Sequence, residues 1–348
     1  MNLNEVISMI RVPDQRAAQQ CQERWNSIAK PLHSFGKFET LFCQIAGISH
    51  SSEIDLSRKA LVIFCADNGV VEEGISQSGQ EVTAIVAENF LHQMTSVSVM
   101  ADSTGTDLFA VDIGMVSDTN CINKKIAYGT KNLAKGPAMT REEAVRALEA
   151  GIDMAFELKE KGYKIIATGE MGIGNTTTSS AMASVLLNEP VVKMTGKGAG
   201  LSDTGLLHKI DVIEKAIALN QPDPADAVDV LAKVGGFDIA GLAGLFLGGA
   251  AAGIPVVIDG FISSVAALTA QRIAPASKDY MIASHVSKEP AGRLILEALG
   301  LDWFLTCDMC LGEGTGAVLL FPCLDLVAEV YHRMSTFGDI KIDACQEL

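Results

Sequence analysis

Three glycine-bearing segments and two polar loops hold the residue types that can do chemistry. The first runs Gly169-Glu-Met-Gly-Ile-Gly-Asn-Thr-Thr-Thr-Ser-Ser180. It follows an apolar run and opens a helical pattern, so backbone N–H groups near Gly172 and Gly174 can approach an anion at a helix start. Asn175, Thr176 and Thr177 add amide and hydroxyl donors. The spacing from Gly169 to Thr176 imitates a P-loop, but Asn175 stands where that motif needs lysine. The segment therefore suits a monoester phosphate better than a triphosphate with Mg²⁺, and a kinase or ATPase reading loses its key residue. Its everyday alternative is a tight turn before a helix.

The second segment, Thr195 to Gly205, alternates glycine with small residues around Gly198 and is followed by His208 and Lys209. Alone it reads as a surface loop; beside the first segment it reads as the other wall of an anion pocket. The third, Leu311-Gly-Glu-Gly-Thr-Gly316, brackets Glu313 with glycines after apolar Met309 and Leu311. A carboxyl in a cramped apolar place has a raised pKa and works as a base near neutrality, whereas a glutamate at large is a surface residue. A fourth segment, from Asp67 to Thr83, offers Ser76, Ser78 and Gln80 to hydrogen-bond a flat heterocycle, or is a plain connection. In the fifth, Ser284 to Gly292, no carboxylate neighbours His285 in the chain, which favours a structural imidazole.

The elements that must position these groups are legible as well. Val- and Ile-rich runs at 60–67, 107–112, 163–170, 255–259 and 279–285 are continuous rather than alternating. Burial on both faces follows, as in a parallel sheet covered by helices. Their carboxyl ends carry Asp67, Asp112, Glu170, Asp259 and His285, all on the one rim where such sheets bind ligands. Between them, Ala144, Ala147, Leu148, Gly151, Ile152, Ala155 and Leu158 share a helix face after a Thr140/Glu143 capping box. The predicted fold is α/β: a Rossmann-like three-layer parallel sheet over 46–290. Residues 1–45 and 291–348 read as helices without strands, paired into a small helical domain.

The chain has 348 residues, a net charge of −15 and 48% hydrophobic residues. Disorder is excluded by that apolar content, and a general nucleic-acid binder by the acidic balance. Eight cysteines are scattered, and the first residues carry charges with no apolar signal core, so reduced thiols in the cytoplasm are expected. The Cys307/Cys310 pair has no second pair to complete a zinc site. Ile239 to Ile258 is charge-free but holds five glycines and Pro255. It is read not as a membrane span but as a helix starting at Ile239, capped by Asp238 and ended by Gly253, then a core strand.

Taken in order, FCADNGV (64–70), GEMGIGNTTTSSA (169–181), GKGAGL (196–201), GGFDIAGLAG (235–244), PVVIDGFISS (255–264), SHVSKEPAG (284–292) and LGEGTGA (311–317) resemble the nicotinate-nucleotide–dimethylbenzimidazole phosphoribosyltransferases. The resemblance covers most of the chain. It implies the fold above, a homodimer, and neither metal nor organic cofactor. It also implies transfer of phosphoribose from nicotinate mononucleotide to an aromatic lower-ligand base of cobalamin, with inversion from β to α at the anomeric carbon. On it, Glu313 matches the catalytic base, and Glu170 and Lys209 match positions lining the site, Lys209 toward phosphate. Substrate contacts are implied at Gly172, Gly174, Asn175, Thr176, Thr177, Gly198, Asp259, Ser287 and Leu311, and the loop with Ser76 and Gln80 is implied to hold the incoming base. Cys310 departs from the arginine expected before LGEG and leaves the acceptor open among benzimidazoles, purines and phenols. A non-catalytic nucleotide sensor on the same fold is the reading from another class.

Overall fold

The structure is a computed structural model that describes residues 1–344. Its strands are β1 (Lys59–Ala66), β2 (Thr106–Gly114), β3 (Ile122–Asn123), β4 (Ile165–Met171), β5 (Val256–Ile258), β6 (Met281–His285) and β7 (Trp303–Leu305). They pair in parallel in the order β3-β2-β1-β4-β5-β6-β7. The direction of winding reverses between β1 and β4, which opens a crevice beyond their carboxyl ends.

Alternation along β1 shows why its run is apolar throughout. Ala60, Val62, Phe64 and Ala66 enter one core, with the helices Arg141–Glu160 and Phe237–Ala252. Leu61, Ile63 and Cys65 enter the other, with Trp25, Ile28 and Phe42 from the N-terminal helices and Phe321, Leu324 and Tyr331 from the last long helix. The Gln15–Ser27 and Lys37–Ser49 helices and the last long helix thus cover the same sheet face, while Leu3, Val6 and Ile10 at the start of the chain and Ile295 and Leu299 near its end pack into the other core. Trp25 and Tyr331 meet edge to face at 4.9 Å between ring centres, and Ile28 bridges to Thr336.

The Arg141–Glu160 helix begins with the anticipated capping box, Thr140 and Glu143 exchanging hydrogen bonds with each other's backbone. Three expectations need correction. Strands β3 and β7 are too short for a periodic signature, and β7 falls in the C-terminal stretch read as helix only. The buried helix after Gly235 starts at Phe237 with Gly236 as its cap; Asp238 lies inside the first turn, not at its boundary. Asp279 and Tyr280 belong to a 3₁₀ turn, Pro275–Tyr280, and the strand begins only at Met281. Gly253 does end the Phe237–Ala252 helix in the left-handed region, and Val256–Ile258 is an interior strand. Among the described residues one helix, Thr315–Arg333, is long and apolar enough to cross a membrane. Half of its apolar stretch is buried within the fold, and Pro322 interrupts it. Seven cysteines among the described residues are free; Cys345 lies outside them.

Candidate active site

A cleft of about 280 Å³ opens beyond the carboxyl ends of β4, β5 and β6, to one side of the β1/β4 switch point. One wall is built for an anion. The chain leaves β4 through Gly172 and Gly174 and enters the Asn175–Leu187 helix, so that the helix start and the Thr176 side chain border the cleft. Lys209, only 1% exposed, comes in from the Asp203–Asn220 helix and donates to Thr176 Oγ1 at 2.7 Å and to the Gly196 carbonyl at 3.3 Å. Burial pulls its pKa down to about 8, against the opposing charge of Glu289. An ammonium bonded to two neutral oxygens beside a helix N-terminus is a ready anion site. Gly198 completes this wall.

Beside this helix start the cleft is acidic. Glu170, at the end of β4 and 7% exposed, accepts a close hydrogen bond from Asn175 Nδ2. Burial first, then the charges of Asp238 and Asp259, push its pKa up to about 8. Glu313 lines the cleft with a buried, unpartnered Oε2. Its pKa is also raised, chiefly by burial, while the Val97 N–H pulls the other way.

The backbone that presents Glu313 is unusual. Glu313 itself has φ +62°, between Gly312 at +87° and Gly314 at +96°, a region that L-residues other than glycine enter rarely. A Cβ on Gly314 would lie 2.5 Å from Leu61 Cδ1, and one on Gly312 2.5 Å from Glu170 Oε1. This loop is held from outside by Asp259. Asp259 Oδ2 accepts from Gly314 N at 3.2 Å, and Oδ1 accepts from Gly316 N at 2.7 Å and Ala317 N at 3.1 Å. The carboxylate caps the Thr315–Arg333 helix across the fold, because that helix has no side-chain cap of its own.

Of the sequence-predicted residues, the structure brings Ser76, Glu170, Gly172, Gly174, Asn175, Thr176, Gly198, Lys209, Asp259, Ser287, Leu311 and Glu313 to the one cleft. Gln80 and Thr177 stand outside its lining: the Gln80 amide turns back to the Asn68 carbonyl at 3.2 Å, and Thr177 is wholly buried in the helix. Of the five rim residues, Asp112 is taken up by Lys125 at 3.2 Å and Asp67 by the Val116 N–H at 2.9 Å. His285, read as structural, does line the cleft. Its ring faces Ser284 Oγ at 3.1 Å and lies near Asp259, a partner separated by too much sequence to be visible there. Sequence reasoning also passed over Gln77, whose amide ties this loop to the Gly200 carbonyl at 2.7 Å, and Glu289, which lines the cleft from the SHVSKEPAG segment. Nothing in the local pattern marks Gln77; Glu289 was signalled by a carboxylate just after a strand-end loop.

A phosphoribosyltransferase family model matches residues 10–342. The chain is 48% identical over its whole length, and the relative's, to a nicotinate-nucleotide–dimethylbenzimidazole phosphoribosyltransferase of Ruminiclostridium cellulolyticum. It is 49% identical over 93% of both chains to the enzyme of that name from Acetivibrio thermocellus. The crystal structure of CobT from Thermus thermophilus superposes with a TM-score of 0.89 at 38% identity, covering 94% of this chain and 99% of that one. The chain belongs to the nicotinate-nucleotide–dimethylbenzimidazole phosphoribosyltransferase family.

Proposed function

We propose that the chain transfers the phosphoribosyl group of nicotinate mononucleotide to 5,6-dimethylbenzimidazole or a related lower-ligand base, releasing nicotinate and the α-riboside 5′-phosphate for cobalamin biosynthesis. The observation that carries this reading is a single cleft lined both by a buried ammonium at a glycine-rich helix start and by carboxyls of raised pKa.

The nucleotide's pyridinium is already cationic, so the leaving nicotinate departs at a neutral ring nitrogen without needing an acid. The phosphate rests on Lys209, Thr176 and the backbone of Gly174 and Gly198. Anchored there, the ribose is held in one orientation, and positioning supplies much of the rate. As the C1′–N bond breaks, positive charge grows on the ribose, and the Glu170 carboxyl faces it across a poorly solvated space, where electrostatic stabilisation is strong. The incoming azole attacks C1′ from the opposite face through one ring nitrogen and must lose the proton on its other nitrogen. Glu313 takes that proton; burial raises its basicity above that of an exposed glutamate. Ser76 and Leu311 flank the place left for the flat base.

A homodimer is part of the proposal, supported by exposed Met94, Val99, Leu319 and Leu326 on and around two neighbouring helices, Ser96–Ser103 and Thr315–Arg333. A cytoplasmic location is supported by the seven free thiols among the described residues. The division into 46–290 and a terminal helical unit, 1–45 with 291–348, is supported by the aromatic cluster that joins Trp25 and Phe42 to Tyr331, although β7 of the second stretch pairs with the sheet and Leu3, Val6, Ile295 and Leu299 pack into the other core. The test is an acceptor panel of benzimidazoles, purines and phenols read by nicotinate release. Dimethylbenzimidazole or a close relative is expected to drive release, and Glu313→Gln to lower kcat at least ~10²-fold, the scale of a lost general base. Nucleotide binding without release under any acceptor refutes the proposal.

A further inference from the structure

Asp238 is buried completely, at the second position of a helix whose next twelve residues, Ile239 to Ala250, offer only apolar side chains or glycine. Leaving a carboxylate in such a place is costly unless it has specific partners. Its partner is Asn175. The Asn175 Nδ2 has two hydrogens and two acceptors: Glu170 Oε2 on the cleft side and Asp238 Oδ2, at 3.1 Å, behind it. Both donors are used, so the amide has one orientation and Glu170 is held from the rear.

We infer that Asp238 is a positioning residue for the transfer: with Asn175 it forms a buried carboxylate–amide–carboxylate bridge that fixes Glu170 at the cleft wall and backs it with negative potential. The inference rests on the phosphoribosyl-transfer reading, since it is Glu170 facing the ribose that gives the bridge its use.

The two carboxyls differ in where charge is tolerated. Asp238 sits in the first turn of a sixteen-residue helix, where N–H groups including that of Ile239 and the helix dipole favour an anion. Glu170 is held by the Asn175 side chain and faces Asp238, Asp259 and Glu313, with His285 beside Asp259 and Lys209 on the same cleft. Behind the bridge, Asp67, Asn68 and Asp238 each keep a buried side-chain oxygen without a donor. A positive centre forming in the cleft is the one arrival that all these oxygens favour. Asp238 therefore retains charge to lower pH, with a pKa of about 7 against about 8 for Glu170. Glu170 gives up its proton to solvent as the nucleotide, with its cationic pyridinium ring, enters.

The test uses the full chain and nicotinate release across pH, comparing the unaltered protein with Asp238→Asn, Asn175→Leu and Glu170→Gln. Asp238→Asn removes the charge and leaves one oxygen to accept from the Asn175 amide, the other oxygen being replaced by an NH₂ group. It is expected to lower kcat ~10–100-fold with little change in KM for the nucleotide. Its acidic limb of kcat should move to lower pH by roughly one unit, the usual effect of deleting a like charge a few ångströms away. Glu170→Gln should abolish that limb. Asn175→Leu leaves Asp238 in place and breaks the bridge, so it should show the same drop in kcat even if Asp238→Asn fails to fold. An unchanged limb in Asp238→Asn, or a change confined to stability or KM, overturns the inference. Absence of nicotinate release by the unaltered protein refutes instead the transfer reading.

Discussion

Replacing Asp259 by asparagine separates the loop-holding role of this residue from any direct role toward substrate. The aspartate accepts three backbone N–H bonds at 2.7–3.2 Å from the start of the helix that follows Glu313. Asparagine keeps the shape but turns one acceptor oxygen into an NH₂ group. That group must face either the Gly314 N–H or the Gly316 and Ala317 pair, donor against donor. Losing one charge-assisted bond and orphaning one buried N–H amounts to ~2–4 kcal/mol. For 348 residues the unfolding entropy is about 0.7 kcal/mol/K, so Tm should fall by ~3–5 °C. Glu313, already in the left-handed region, loses its outer support; a displacement of ~1 Å lowers kcat ~10²-fold. Calorimetry and nicotinate release on the same sample measure both. If kcat collapses while Tm stays, Asp259 acts on the substrate directly. If Tm falls while kcat stays, Glu313 does not depend on this brace.

Lys209→Met removes the buried ammonium while keeping its stem. KM for nicotinate mononucleotide should rise ~10–100-fold, the worth of one charge-assisted bond, with Tm unchanged or higher because a buried charge is gone; an unaltered KM contradicts the phosphate role. Stability should also fall as pH rises from about 4.5 to 8. In that window Glu170 holds its proton in the folded protein and has lost it in the unfolded chain, so the native state binds more protons and is favoured by acid. Thermal melts across that range should show this slope, and Glu170→Gln should make it shallower, leaving the share of Asp238, whose pKa burial pushes up to about 7; a Tm that climbs over the same window contradicts the raised pKa.

The parts of this protein visible in its sequence were those fixed by local pattern. Continuous apolar runs marked β1, β4 and β6 because both faces are buried, and glycine spacing marked Gly174 and the Glu313 loop because backbone conformation there admits little else. What escaped depends on partners far apart in the chain. Gln80 and Thr177 have the right chemistry but face inward, a matter of side-chain direction that spacing does not encode. His285 looked structural because its neighbour Asp259 comes from another strand end, and Asp238 looked like a cap because Asn175 is 63 residues away. β3 and β7, two and three residues long, exist only through pairing with a strand already in place.

The meeting of the Gln15–Ser27 and Lys37–Ser49 helices with the last long helix on one sheet face has a consequence for synthesis. Trp25 and Phe42 wait for Tyr331, roughly 300 residues downstream, before their aromatic surfaces are covered. At ~5–20 residues per second on the ribosome, that delay lasts ~15–60 s. During it the N-terminal helices present an open aromatic face, a natural target for chaperones that act on nascent chains.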